Sequence, residues 1–171
     1  MDRADPDRII ADKLAALEPQ AWQGEVWRHT FANNPPERRN VRGARWNPSG
    51  VEALYVSLAR ETALAEAEHL IETQPIRPSA KRTLHRLRVS LAAVVDLTNR
   101  DVLLSLGVSD DELSSDDLRA CQAVGAAAVF LRLDGMIVPS ARSPGDNIVI
   151  LFAGTESAPE IELLESEPLR A

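Results

Sequence analysis

The chain has 171 residues, 44% of them hydrophobic and 26% charged, with a formal net charge of −7. That length supports one domain with its own core, and the acidic balance speaks against an extended nucleic-acid-binding surface. A lone cysteine, Cys121, excludes an internal disulfide and fits a reducing cytoplasm.

Residues 7–18, DRIIADKLAALE, carry Ile9, Ile10, Leu14 and Leu17 at helical spacing, and Pro19 ends the run. The preceding MDRADPDRII lacks the apolar stretch of a signal peptide. GEVWRHTF, 24–31, alternates Val26, Arg28 and Thr30 against Trp27, His29 and Phe31, as a strand with one aromatic face does. ANNPPERRNVR reads as a long loop, and GARWNPSG, 43–50, as a turn-rich one. EALYVSL is a short strand. ARETALAEAEHLIE is an amphipathic helix with Ser57 as its candidate N-cap.

KRTLHRLRVSL and AVVDL read as two strands, and RDVLLSLG as a short helix closed by Gly107. The acidic SDDELSSDD is expected to be a loop leading into a helix over about 115–128, with AVFL strand-like at its end. Cys121 sits in that apolar helix and reads as core. GMIVPS and NIVILFA are apolar strands, and EIELLESEPL a last edge strand. Strands and helices interleave without a regular βαβ repeat, which predicts an α+β fold in a single domain, 1–171. No apolar run approaches the roughly 18 residues of a membrane helix, so a soluble, cytoplasmic protein is expected.

No G-x-G-x-x-G, Walker A, C-x-x-C, H-E-x-x-H or G-x-S-x-G motif is present. His29, His69 and His85 lack metal-ligand spacing, so no metal site is expected. On a helical wheel, Ala63, Leu64, Ala67, Leu70 and Ile71 form the buried stripe, and Glu61, Glu68 and Glu72 the solvated face. Glu66 falls at the flank, either as an edge carboxylate paired with an arginine or as an acid beside a pocket. Arg28 and Arg45 are ordinary salt-bridged cations on one reading and a phosphate clamp on the other. Tyr55 either fills core or stacks on a planar ligand. Ser140 and Asn147 are either turn residues or hydrogen-bonding groups in a cleft. Trp46 plugs the core edge on the plainer reading, with Arg45 solvated.

In this order, Arg28 in VWRHT, Arg45 in GARWNPSG, then ALYVS, ETALAEAEH, IVPSAR and NIVILF resemble the RES domain family, over about residues 24–153. The resemblance implies a mixed α/β core like that of ADP-ribosyltransferases, built around an NAD-binding cleft. It implies a bacterial toxin that cleaves the nicotinamide–ribose bond by hydrolysis or phosphorolysis. NAD is then substrate and not cofactor, with phosphate as co-substrate in the second case. The implied partner is an Xre-like helix-turn-helix antitoxin that blocks the cleft in a hetero-oligomer and makes the DNA contacts. Carried over by position, Glu66, Arg45 and Tyr55 are catalytic, and Arg28, Arg45, Tyr55, Ser140 and Asn147 bind NAD. Trp27 stands where the family more often has tyrosine, and His69 follows the glutamate by three residues, not four. Two alternatives stay open: an ADP-ribosyltransferase acting on a protein, and an inactive RES-like binding module. A loop position also predicts that Arg45→Ala weakens NAD binding more than it disturbs folding.

Overall fold

The computed structural model describes residues 6–73, 81–141, 143–152 and 159–169. Its elements run α1 (Pro6–Ala15), β1 (Gln20–Phe31), β2 (Ala53–Ser57), α2 (Arg60–Thr73), β3 (Arg82–Asp96), α3 (Arg100–Ser105), α4 (Asp110–Ser114), α5 (Arg119–Phe130), β4 (Gly135–Pro139), β5 (Asp146–Leu151) and β6 (Glu160–Leu169). The strands hydrogen-bond in the order β1-β2-β5-β4-β3-β6, and β1 also pairs with β3. That extra pairing closes a small β-barrel and leaves β6 as an outrigger on β3. Only β3 and β4 pair in parallel; the other ladders are antiparallel. The architecture is a mixed α/β domain, in keeping with the expected α+β class.

Alternation along the strands builds two cores. Val26, Leu54, Val56, Leu87, Val89, Leu91, Ile148 and Ile150 pack together inside the barrel. The opposite faces of β2, β4 and β5 present Ala53, Val149, Met136 and Val138 to α1, α3 and α5, together with Cys121, Val124 and Trp46. Cys121 is core, as expected, and burial raises its thiol pKa. On α2, Ala63 and Ala67 are buried while Glu61, Glu68 and Glu72 are exposed, as the wheel predicts.

Several boundaries differ from the sequence reading, each for a local reason. The two strands expected over 81–97 are one. Between its pairing with β6 and its pairing with β4, the N–H groups of Ala92 and Ala93 donate to the two carboxylate oxygens of buried Asp134, both at 2.7 Å. The side chain satisfies the backbone where the partner changes, so the strand runs on. The expected acidic loop contains α4. Ser109 caps it, accepting from Glu112 N and donating to Glu112 Oε1 at 3.0 Å. The Ser109 hydroxyl thus caps the helix through both the backbone and the side chain of Glu112, and the acids of the first turn lie at the positive end of the helix. The segment AVFL continues α5 and is not a strand. Ser57 is the last residue of β2, and α2 begins only at Arg60, so Ser57 is not its N-cap.

Gly125 shows how closely α5 approaches the loop of residues 43–50. A Cβ there would lie 1.6 Å from the carbonyl oxygen of Trp46. Backbone cannot yield as a flexible side chain can, so Gly125→Ala must separate helix from loop. The expected loss exceeds the ~1–3 kcal/mol of ordinary overpacking. A urea unfolding midpoint equal to that of the wild type would contradict this packing.

Candidate active site

The loop 43–50 forms one wall of a cleft of about 480 Å3. Gly43 and Gly50 adopt φ of +103° and +90°, so both serve the turn itself. Trp46 is 2% exposed and belongs to the helical core, as the plainer reading of the sequence has it. Its N–H donates to the Tyr55 hydroxyl at 2.9 Å, and that hydroxyl donates to Asn47 Oδ1 at 2.6 Å. Asn47, fully buried, donates onward to the carbonyl of Val51 at 2.7 Å. Burial pushes the Tyr55 phenol up to about 12, so it keeps its proton.

Arg45 is not simply solvated. Its Nη1 and Nη2 donate to the carbonyls of Glu112 and Ser115 at 3.1 and 3.0 Å. These carbonyls lie at the C-terminal end of α4, where a cation meets the negative end of the helix. Gln122 on α5 adds a bond to the carbonyl of Ala44 at 2.9 Å. The loop is therefore held by α4, α5 and β2 together.

Glu66 stands across the cleft on α2. Its Oε1 accepts from Ser140 Oγ at 2.6 Å and from Asn147 Nδ2 at 2.8 Å. The three residues come from α2, the end of β4 and the start of β5. Sequence reasoning missed what brings them together. Thr62, one helical turn before Glu66 and on the same face, donates to the carbonyl of Pro144 at 3.1 Å. Gly145, at φ +108°, lies so close to Thr62 that a Cβ would meet its Oγ1 at 2.2 Å. The β4–β5 turn is thus clamped onto α2, and Ser140 is delivered to Glu66. Asn147 Oδ1 is buried and has no hydrogen-bond partner among the described residues.

Five of the six sequence-derived site residues therefore meet here: Arg45, Tyr55, Glu66 and Asn147 line the cleft, and Ser140 bonds Glu66 beside it. Arg28 does not line it. β1 and β2 pair only at Trp27↔Ser57, and Arg28 Nη1 donates to the carbonyl of Tyr55 at 2.9 Å. The guanidinium so bridges the strands beyond their single pairing. Arg28 opens instead onto an adjoining cavity that shares His29 and Leu70 with the cleft. Arg28 and Arg45 thus face different spaces, and neither forms an ion pair with a carboxylate among the described residues. His69 is not among the lining residues of either cavity. The described residues hold no cluster of metal-ligating side chains.

The RES domain family model matches residues 18–170. The chain belongs to the RES domain family. It is 30% identical over 147 residues to the NAD(+) phosphorylase MbcT of Mycobacterium tuberculosis, covering 81% of this chain and 79% of that protein. It is also 30% identical over 165 residues to a probable NAD(+) phosphorylase of the same organism, covering 92% of this chain and 77% of the relative. The crystal structure of the M. tuberculosis MbcT-MbcA toxin-antitoxin complex contains a chain that superposes with a TM-score of 0.80 at 26% identity, covering 96% of this RES chain and 93% of the other.

Two predictions follow from the loop's anchors. Tyr55→Phe leaves the Trp46 N–H and Asn47 Oδ1 without their partner, at a cost of ~1–3 kcal/mol read from thermal unfolding. The bonds of Arg45 to α4 mean that its removal also touches the fold. Arg45→Ala should accelerate amide exchange in α4 and lower Tm. Unchanged exchange there would show that the helix stands without it.

Proposed function

We propose that this RES protein is the toxin of a toxin–antitoxin pair and degrades NAD by phosphorolysis of the nicotinamide–ribose bond. The observation that carries the reading is the fixed carboxylate of Glu66. Two donors from separate strands hold its Oε1 in a cleft whose volume, about 480 Å3, falls within the roughly 300–1,000 Å3 of small-molecule sites. The family match and the names of the relatives support NAD as substrate and phosphate as co-substrate.

Cleavage of this bond needs little acid catalysis, because the departing nicotinamide is cationic in the substrate and leaves neutral. An oxygen of hydrogen phosphate bonds to the ribosyl C1″ as the C–N bond breaks. The bonding pair leaves with nicotinamide, and the phosphate's proton stays on the ester until solvent takes it. Positive charge builds on the ribosyl ring in the transition state, and a preorganised carboxylate stabilises it. Glu66 takes that role, with Ser140 and Asn147 locking its rotamer. Tyr55 offers a ring already fixed at its hydroxyl. Arg45 supplies positive charge toward the diphosphate, while Arg28 opens onto the adjoining cavity.

The partner in this reading is an Xre-like helix-turn-helix antitoxin that covers the cleft. An acidic toxin, −7 overall, leaves DNA contact to that partner.

The test is NAD consumption by purified, antitoxin-free protein, with products resolved by mass. Phosphate-dependent formation of ADP-ribose 1″-phosphate is expected, with Glu66→Gln slower by about 100-fold or more. ADP-ribose released regardless of phosphate would replace phosphorolysis with hydrolysis. A labelled macromolecule would overturn the reading in favour of a transferase.

A further inference from the structure

The adjoining cavity has an electrostatic character that the rest of the chain does not share. It measures about 480 Å3 and is lined by Arg28, Arg38, Arg39 and Arg82, with no carboxylate among its described lining residues. The protein as a whole carries −7. Only Arg39 has an acidic partner, Glu52 at 2.8 Å, and its guanidinium also lies over the Phe152 ring. Arg28, Arg38 and Arg82 form no ion pair with any described residue.

Two of these three are not surface groups. Arg82 is 7% exposed, stacks on the Phe31 ring and donates from Nη1 to His29 Nδ1 at 3.1 Å. Burial, then Arg82 and Arg28, push the His29 pKa down to about 4, so the imidazole is neutral and accepts this bond without adding charge. Arg28 spends Nη1 on the carbonyl of Tyr55 and Nη2 on that of Arg38 at 3.4 Å, and its Nε is buried with no partner among the described residues. Buried guanidiniums without a counter-charge are costly, and an anion in the shared space removes that cost. Arginine forks match tetrahedral oxyanions in particular.

We infer that this cavity is a phosphate-group site, formed by Arg28, Arg38 and Arg82, and that free inorganic phosphate occupies it on its way to the reaction. The role of co-substrate rests on the phosphorolysis proposed above; the site itself rests on the charges. His29 and Leu70 border both cavities, so phosphate held here lies next to the cleft that Glu66 lines.

The experiment uses inorganic phosphate as probe, with Arg38→Ala and Arg82→Lys as variants. Arg38 is exposed and outside the barrel, so its variant keeps the fold even where the Arg82 variant does not. Phosphate should raise the Tm of the wild type above that in chloride of equal ionic strength, with NAD absent. The shift should shrink in both variants, and KM for phosphate should rise about tenfold in Arg38→Ala, the equivalent of one charge-assisted hydrogen bond, with KM for NAD unchanged. A shift produced by NAD but not by phosphate, with KM for NAD alone rising, would assign the site to the dinucleotide's own diphosphate and overturn the free-phosphate assignment. No shift with either ligand would remove the site altogether. The thermal shift needs no turnover, so loss of the phosphorolysis reading leaves it interpretable. Phosphate-dependent turnover without any shift would leave that reading standing and sink only the site.

Discussion

The loop of residues 43–50 has no regular structure, and its position depends on the Tyr55 hydroxyl, which accepts from the Trp46 N–H and donates to Asn47 Oδ1. The phenol sits on β2, so the bond ties an irregular segment to the barrel. Its proton is secure, since burial raises its pKa to about 12. The direction of donation along Trp46, Tyr55, Asn47 and Val51 is therefore set. With the loop fixed, Trp46 can be committed to the helical core and Arg45 to the end of α4. One wall of the cleft thus follows from a chain of buried, satisfied polar groups, which specify geometry because leaving any one unpaired is expensive.

The facing wall uses a different device. Thr62 and Glu66 lie one turn apart on α2, and both reach the β4–β5 turn. Gly145 lets the two backbones come close enough for this. The helix thus contributes an anchor and a functional acid from the same face. A carboxylate positioned this way needs no reorganisation when charge develops nearby, which is where preorganisation lowers a barrier.

Much of this was legible in the sequence. Period-2 alternation located the barrel strands, and helical spacing put Glu66 at the flank of its helix. The ordered motifs pointed to the family and to most of the residues that meet in the cleft. What escaped notice were tertiary partners. Asp134 joins two apparent strands into one by feeding two backbone N–H groups from a distance of about 40 residues in sequence. Gly125 and Thr62 look ordinary until their contacts are known. Arg28 seemed half of a clamp, but the barrel has one weak seam and the guanidinium sits in it. Ser109 and Glu112, by contrast, form an S-x-x-E helix-start pattern that is visible in the sequence itself.

The placement of charge completes the picture. The acids of α2 that face away from the cleft are solvated, and those of β6, the outrigger strand, meet Arg60, Arg86 and Arg88. Such charges add little stability but guard an exposed strand against pairing with another chain. Arg28 and Arg82 are treated in the opposite way, drawn inside and left without acids. The net charge of −7 disfavours anionic macromolecules in general, while a small anion that reaches the cavity meets several arginines at once. Discrimination by size then follows from where the arginines sit, and not from how many the chain carries.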